Sequence, residues 1–507
     1  MSKSAKYIFI IIILSFLVYA NSLNNAFVSD DLPSIANNPN ISNIFAAPTF
    51  LNMTYHLNYQ VSKLNPFGYH LVNSILHTIN SVLVFFLLLL FFKPYPSFWG
   101  SLIFAVHPVH TEAVTWIAGR NYLLMSLFLL SAILLYAHAT KGERLKKSAF
   151  GFSLFAYFSA VCFSPFAYPL PAFLAAYDLS REKWRENYKL WLCFIPIGLL
   201  KFAFAFGILG GRIAMVAADT GGSGHSNPFF NFAFSTFTHL GLVLWPKNLT
   251  LYHEPVSATA GVITLELILL AVLLILSPLF LKKAKEIFLA LALFILFLLP
   301  TYSPVMISWV IAERYVYFSS LAFSILAAFL VRKFYVRTKK IKGKFVTEEK
   351  ASLALNLILV LLVAGYSART IYRNADWRSH ASIWRATAKV SPLSPRSHNN
   401  MGDVYSLEGN LDMAALEFAR AIELKPDYSD AYHNLASTYG KMGRINEAIE
   451  CYRKAIFYNP RLYQSYQNLA VIYYNLGRFS EAKAYLSKAL ELNPSDQSLR
   501  DFLGEIP

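Results

Sequence analysis

The sequence is poor in charge and in cysteine. Only 15% of its 507 residues are Asp, Glu, Lys or Arg, against about 25% in an ordinary water-soluble domain, which excludes a simple cytosolic enzyme. Its three cysteines, Cys162, Cys193 and Cys451, are odd in number and widely scattered. Without a CxxC pair or a Cys/His cluster, neither a disulfide framework nor a zinc site is expected. No helix-opening lysine follows the glycine-rich GGSGHS stretch at 221–226, so a nucleotide-binding P-loop is not expected either.

What is abundant is apolar surface. Residues of the set AVILMFWYC make up 56% of the chain. A helix needs roughly 20 apolar residues to cross the hydrocarbon of a bilayer, and by that measure about eleven stretches qualify. They centre on residues 6–22, 71–92, 98–116, 121–139, 149–163, 165–179, 189–209, 258–281, 286–301, 313–331 and 352–370, with a further re-entrant or interfacial piece at 229–246. The expected architecture is all-α, a polytopic helical membrane domain over 1–370.

The formal charge of +16 would suit nucleic acid, but the cations concentrate between apolar stretches. Lys141, Arg144, Lys146 and Lys147 form one group, Arg181, Lys183, Arg185 and Lys189 a second, Lys282, Lys283 and Lys285 a third, and Arg332 to Lys344 the densest. In this count all four fall on one side, which basic residues identify as cytoplasmic. No nucleic-acid partner is expected. The opening run, with Lys3 and Lys6 before Ile8 to Val18, resembles a signal peptide but reads as a retained span, because more spans follow it. The N terminus is then cytoplasmic, and everything beyond 370 is extracytoplasmic, in a periplasm, an exterior or an ER lumen.

That tail is periodic. Pro426, Pro460 and Pro494 lie 34 residues apart, as do Gly409, Gly443 and Gly477, Ala414, Ala448 and Ala482, Ala421, Ala455 and Ala489, and Tyr405, Tyr439 and Tyr473. Small residues where paired helices touch, and a proline closing each unit, are the tetratricopeptide signature. The division expected is a linker at 371–394 and a three-repeat α-solenoid with a C-terminal cap at 395–507. Asn400, Asn434 and Asn468 recur on the first helix of each unit. An amide both donates and accepts, so such a row could hold the backbone of an acceptor peptide, although it also serves purely structural hydrogen bonding.

Three blocks carry chemistry. NSLNNAFVSDDLPSI places adjacent carboxylates, Asp30 and Asp31, just after the first apolar run. Such a pair suits general-base work or a cation, and equally a solvated turn with a helix cap. FAVHPVHTEAVTWIAGR sets His107, His110, Glu112 and Arg120 near one end of a membrane-depth stretch, where ionisable groups face a cavity or each other. ISWVIAERYVYF adds Glu313 and Arg314. Zinc at the histidines is disfavoured, since no HExxH or carboxylate spacing accompanies them. Arg212, His225, His253 and Glu254 are weaker candidates.

In this order, the DD pair, the HPVHTEAVTWIAGR block, the AERYVY block and the repeats resemble the transmembrane TPR O-mannosyltransferases, GT-C glycosyltransferases related to the protein O-mannosyltransferases. The resemblance implies transfer of a sugar, mannose foremost, from a polyprenyl or dolichyl phosphate carrier to Ser/Thr hydroxyls of exported proteins, with inversion. It implies a catalytic carboxylate at Asp30 or Asp31, donor phosphate contacts from Arg120 and Arg314, and shaping of the site by His107, His110, Glu112 and Glu313. It leaves open a divalent cation at Asp30 and Asp31. Two positions depart from the family pattern: Tyr122 stands where an acidic residue is usual, and Tyr252, His253 or Glu254 occupies the place of another. The alternatives are a catalytically degenerate scaffold that recruits proteins through its repeats, and a related enzyme that glycosylates a lipid or glycan.

Overall fold

The computed structural model describes residues 3–46, 49–204, 228–253, 260–302, 311–339 and 347–507. Arg212, His225, the 221–226 stretch and Glu254 lie outside them. Among the described residues the chain is helical, without strands, and it divides by contacts into two units that part between Ser379 and His380, with a short piece around Tyr252 grouped with the second.

Among the described residues of the first unit, five helices are long and apolar enough to cross a membrane: Lys3–Ser22, Pro66–Leu88, Ile117–Ala139, Thr264–Lys283 and Glu348–Trp377. A sixth arises if Glu313–Ser319 and Leu321–Thr338, bent by 48° at their junction, count as one span. About eleven is therefore not reached among the described residues. The shortfall has a physical cause that is clearest at 98–116. The helix Pro94–Val106 stops at His107, whose backbone is extended with ψ 125°. Pro108 supplies no N–H and disfavours helical geometry in the residue before it. The chain continues as a 3-10 turn Pro108–His110, a single helical turn Thr111–Thr115 and another 3-10 turn Ile117–Gly119, and only then as the helix Arg120–Ala139.

The core of this unit mixes apolar packing with a polar stripe. Along Pro66–Leu88 the buried residues include His70, Asn73, Ser74, His77, Thr78, Asn80 and Ser81, spaced to share one face of a helix. Pro94–Val106 packs on Leu321–Thr338. Gly100 permits the approach, since a Cβ there would sit 2.8 Å from the Ser324 carbonyl oxygen.

The second unit begins with the helix His380–Val390 and continues as the pairs Pro395–Leu407 with Leu411–Leu424, Ser429–Lys441 with Ile445–Tyr458, and Tyr463–Asn475 with Phe479–Leu492, closed by Gln497–Glu505. Ala414, Ala448, Ala482, Ala421, Ala455 and Ala489 are all fully buried, where nothing larger would let the paired helices meet. Gly409, Gly443 and Gly477 end the first helix of each pair at φ 80°, 76° and 72°, a left-handed backbone that glycine adopts without penalty. No atom lies within 4 Å of a Cβ built on Gly443, so replacing it costs backbone strain alone. Gly443→Ala is expected to lower the stability of the array by about 1 kcal/mol, read as an earlier midpoint in denaturant unfolding; an unchanged midpoint would contradict this.

Candidate active site

The first helix ends at Leu17, and the chain that follows turns back so that the two aspartates part company. Asp31 is fully buried. Its Oδ2 accepts from the Val28 N–H at 3.1 Å and its Oδ1 from the Ala118 N–H at 2.8 Å. Asp30 is exposed. Burial pushes the Asp31 carboxyl up to about 7, with the charge of Asp30 adding to the rise, while the two backbone N–H groups and Arg120 oppose it. Asp31 thus ties its loop to the broken segment after Pro108, and Asp30 is left as the open carboxylate.

That segment connects to the AERYVY block through charge. Glu112, buried, accepts from the backbone N–H of Arg314 at 2.8 Å and from the Arg314 guanidinium. The guanidinium lies over the rings of Tyr315 and Trp116, 4.9 and 5.3 Å from their centroids. Glu313 pairs with Arg373 Nη2 at 3.2 Å, and Arg373 Nη1 donates to Asp376 at 2.8 Å.

Asn374 joins the remaining pieces. Its Nδ2 donates to the Val18 carbonyl at 2.8 Å and to Asn21 Oδ1 at 2.7 Å, its Oδ1 accepts from Thr115 Oγ1 at 2.9 Å, and its carbonyl accepts from Asn25 at 3.1 Å. Trp377 stacks on Trp116 at 5.9 Å. Three blocks far apart in sequence therefore meet at one end of the helices, bound together by residues 373–377.

The other candidates occupy less open positions. Arg120 donates from Nε to Asn73 at 2.9 Å and from Nη2 to Asn58 at 2.9 Å and the Tyr69 carbonyl at 3.1 Å, with the Thr54 carbonyl 3.4 Å from Nη1. His107 accepts the Val109 N–H at Nδ1 and reaches the Val243 carbonyl from Nε2 at 2.9 Å. His110 Nε2 bonds Ser320 Oγ at 2.7 Å. His77 spans Tyr317 Oη and the Ala105 carbonyl at 2.8 and 2.9 Å, and its ring meets that of His110 edge-on at 5.7 Å. No group of three or more His, Cys, Asp or Glu side chains among the described residues could hold a metal ion.

In the second unit each amide of the asparagine row donates within the array. Asn400 reaches the Arg396 carbonyl at 2.9 Å, Asn434 reaches Asn399 Oδ1 at 3.1 Å, and Asn468 reaches Tyr452 Oη at 3.1 Å. Tyr252, read as a departure in the first unit's chemistry, stacks instead on Trp384 at 5.5 Å.

Sequence reasoning missed Arg373, Asn374, Asp376 and Trp377, which it took as a linker, and also Asn73, His77 and Tyr317. A signal existed. Polar residues at helical spacing inside the apolar run 66–88, and the RNADW string directly after the apolar run ending at 370, are costly at membrane depth unless they meet partners.

The fold and site define a class: an apolar helical assembly with a polar, charge-paired site at one end, joined to a tetratricopeptide array. Family models described as tetratricopeptide repeat match residues 429–462 and 463–496, and one described as TPR repeat matches 402–443. Over most of its length the chain is similar to curated proteins named protein O-mannosyl-transferase. It is 26% identical to one from Caenorhabditis elegans, covering 84% of this chain and 64% of that protein. It is also 26% identical to TMTC3 of Homo sapiens, covering 81% and 50%, and 25% identical to Tmtc3 of Drosophila melanogaster, covering 74% and 48%. The chain thus spans about half to two thirds of the length of these relatives. The resemblance carried by the motifs extends over most of the chain.

Removing one partner of a buried ion pair leaves an uncompensated charge. Glu112→Ala is therefore expected to destabilise the first unit by about 3–5 kcal/mol, and Glu112→Leu with Arg314→Met by less. Thermal unfolding in detergent measures both; a single variant as stable as the parent would refute the pairing.

Proposed function

We propose that this chain is a membrane glycosyltransferase that moves a sugar, mannose foremost, from a polyprenyl or dolichyl phosphate carrier to Ser/Thr hydroxyls of exported proteins. The observation that supports this most is the convergence of the Asp30–Asp31 loop, the 107–120 segment and the Glu313–Arg314 pair, with Asp30 the exposed carboxylate among them. The names of the relatives point the same way. In this reading the chain crosses the membrane several times with its N terminus cytoplasmic and its repeats outside.

The reaction is a single displacement. Asp30 takes the proton of the acceptor hydroxyl as its oxygen attacks the anomeric carbon from the side opposite the phosphate. The bond from that carbon to the phosphate oxygen breaks, its electron pair leaves with the phosphate, and the configuration inverts. A phosphate leaves readily, so no strong general acid is required. Arg314 is the arginine assigned to the departing charge, its guanidinium oriented by Glu112, Trp116 and Tyr315. Arg120, committed to Asn73, Asn58 and two carbonyls, orders the site's floor. Asp31 positions Asp30 by fixing the loop between Val28 and Ala118. The repeats engage the acceptor chain through their asparagine-bearing face.

Asp30→Asn should lower sugar transfer at least about 100-fold while leaving the amount and melting temperature of the protein unchanged. Asp31→Asn, which places an amide between two N–H donors, should lower the melting temperature. Membranes supplied with radiolabelled polyprenyl phosphate mannose and a Ser/Thr-rich acceptor measure the first. Undiminished transfer by Asp30→Asn overturns the assignment, and label recovered in lipid instead of protein overturns the acceptor.

A further inference from the structure

Within the second unit a cavity of about 300 Å³ opens between the first helices of the first two repeats. Its wall takes Asp403 and Ser406 from Pro395–Leu407, Asn434, Ser437 and Lys441 from Ser429–Lys441, and His380 from the helix before the array. The Phe418 side chain also lines it, lying against Gly402, where a Cβ would fall 2.5 Å from the ring.

Two of the polar groups on this wall make no hydrogen bond among the described residues, the half-buried Asp403 and the buried Nδ1 of His380. Among the described residues the Asp403 carboxylate has no hydrogen-bond or ion-pair partner, and burial pushes it up to about 6. His380 Nδ1 is buried and likewise without a hydrogen bond, and burial lowers the affinity of that ring for a proton, keeping it neutral. A neutral imidazole nitrogen accepts as readily as it donates. A half-buried carboxylate without a donor partner is stabilised by an incoming cation. Asp430 adds to the negative potential on Asp403.

One group opposes a cation. Lys441 acts on Asp403 from the rim, but its ammonium is directed to Ser406 Oγ at 3.1 Å and not to the carboxylate. It competes with an incoming charge without satisfying Asp403. The oxygens of Asp403, Asn434, Ser406 and Ser437 are then the acceptors for a ligand carrying several N–H donors, of which a guanidinium has five.

We propose that this cavity receives the basic side chain, Arg or Lys, of an extended peptide lying along the first helices of the repeats. The inference rests on the reading of the array as the acceptor-binding arm and adds to it a preference: acceptor segments carrying a basic residue near their Ser/Thr sites are bound ahead of neutral or acidic ones.

The test uses the full chain in lipid nanodiscs, without sugar donor, and three fluorescein-labelled Ser/Thr/Ala dodecapeptides that differ only in a central Arg, Gln or Glu. Anisotropy should give the Arg peptide an affinity at least tenfold above the Gln peptide, with the Glu peptide weakest. Asp403→Asn should erase the gap between Arg and Gln, whereas Lys441→Gln should widen it, and both variants should melt with the parent. The opposite signs separate recognition by Asp403 from a general loss of fold. Equal binding of the three peptides, a gap indifferent to Asp403→Asn, or preference for Glu overturns the proposal while leaving the array a peptide binder. No binding of any peptide overturns it together with the acceptor reading, and because no donor is present neither result bears on the chemistry at Asp30.

Discussion

A charge taken into an apolar helical assembly must be met there by another charge or by hydrogen-bond donors, because no water is available to do it. The first unit is organised by that demand. Glu112 meets Arg314, Glu313 meets Arg373, and Asp31 meets two backbone N–H groups. All of these contacts except the local one to Val28 join segments that are distant in the chain. The break that Pro108 imposes and the turn Ile117–Gly119 leave backbone groups outside regular helix, and the Ala118 N–H among them holds Asp31. Irregular backbone inside an apolar helical assembly persists only where its polar groups find partners.

The two aspartates illustrate how one loop gives neighbouring carboxylates two environments. They are adjacent in sequence and identical in chemistry, yet one is sealed by Val28 and Ala118 and the other is open to solvent. The sealed one sets the position of the open one. A similar economy governs the arginines. Arg120 spends its donors on Asn73, Asn58 and backbone carbonyls, while Arg314 is held by a carboxylate and stacked between aromatic rings. An arginine pre-oriented in that way is suited to a phosphate.

The repeat array obeys simpler physics. Alanines at matching positions set the distance between paired helices, glycines in left-handed geometry end the first helix of each pair, and each unit contacts its neighbours. Its ion pairs Arg385–Glu408 and His398–Glu417 join helices only 23 and 19 residues apart. Its polar cavity near Asp403 is consequently a departure from its own regularity, one that Asn434 shares with the repeat pattern and Asp403 and His380 do not.

The sequence by itself determined what is local or periodic. The 34-residue repeat, the helical class, the apolar excess and the three motif blocks are legible because each depends on neighbours within a turn or on exact recurrence. Its count of about eleven spans is not reached among the described residues, where hydropathy averages across a Pro108 that breaks the backbone. It also passed over Arg373, Asn374 and the stripe from His70 to Ser81, whose importance lies in partners as many as 356 residues away, such as the Val18 carbonyl bound by Asn374. Which aspartate is buried, which arginine is spent, and which histidines are walled in by carbonyls were decided only by tertiary structure. Burial and hydrogen-bond satisfaction are properties of the space around a side chain, and that space is filled by segments the local sequence does not name.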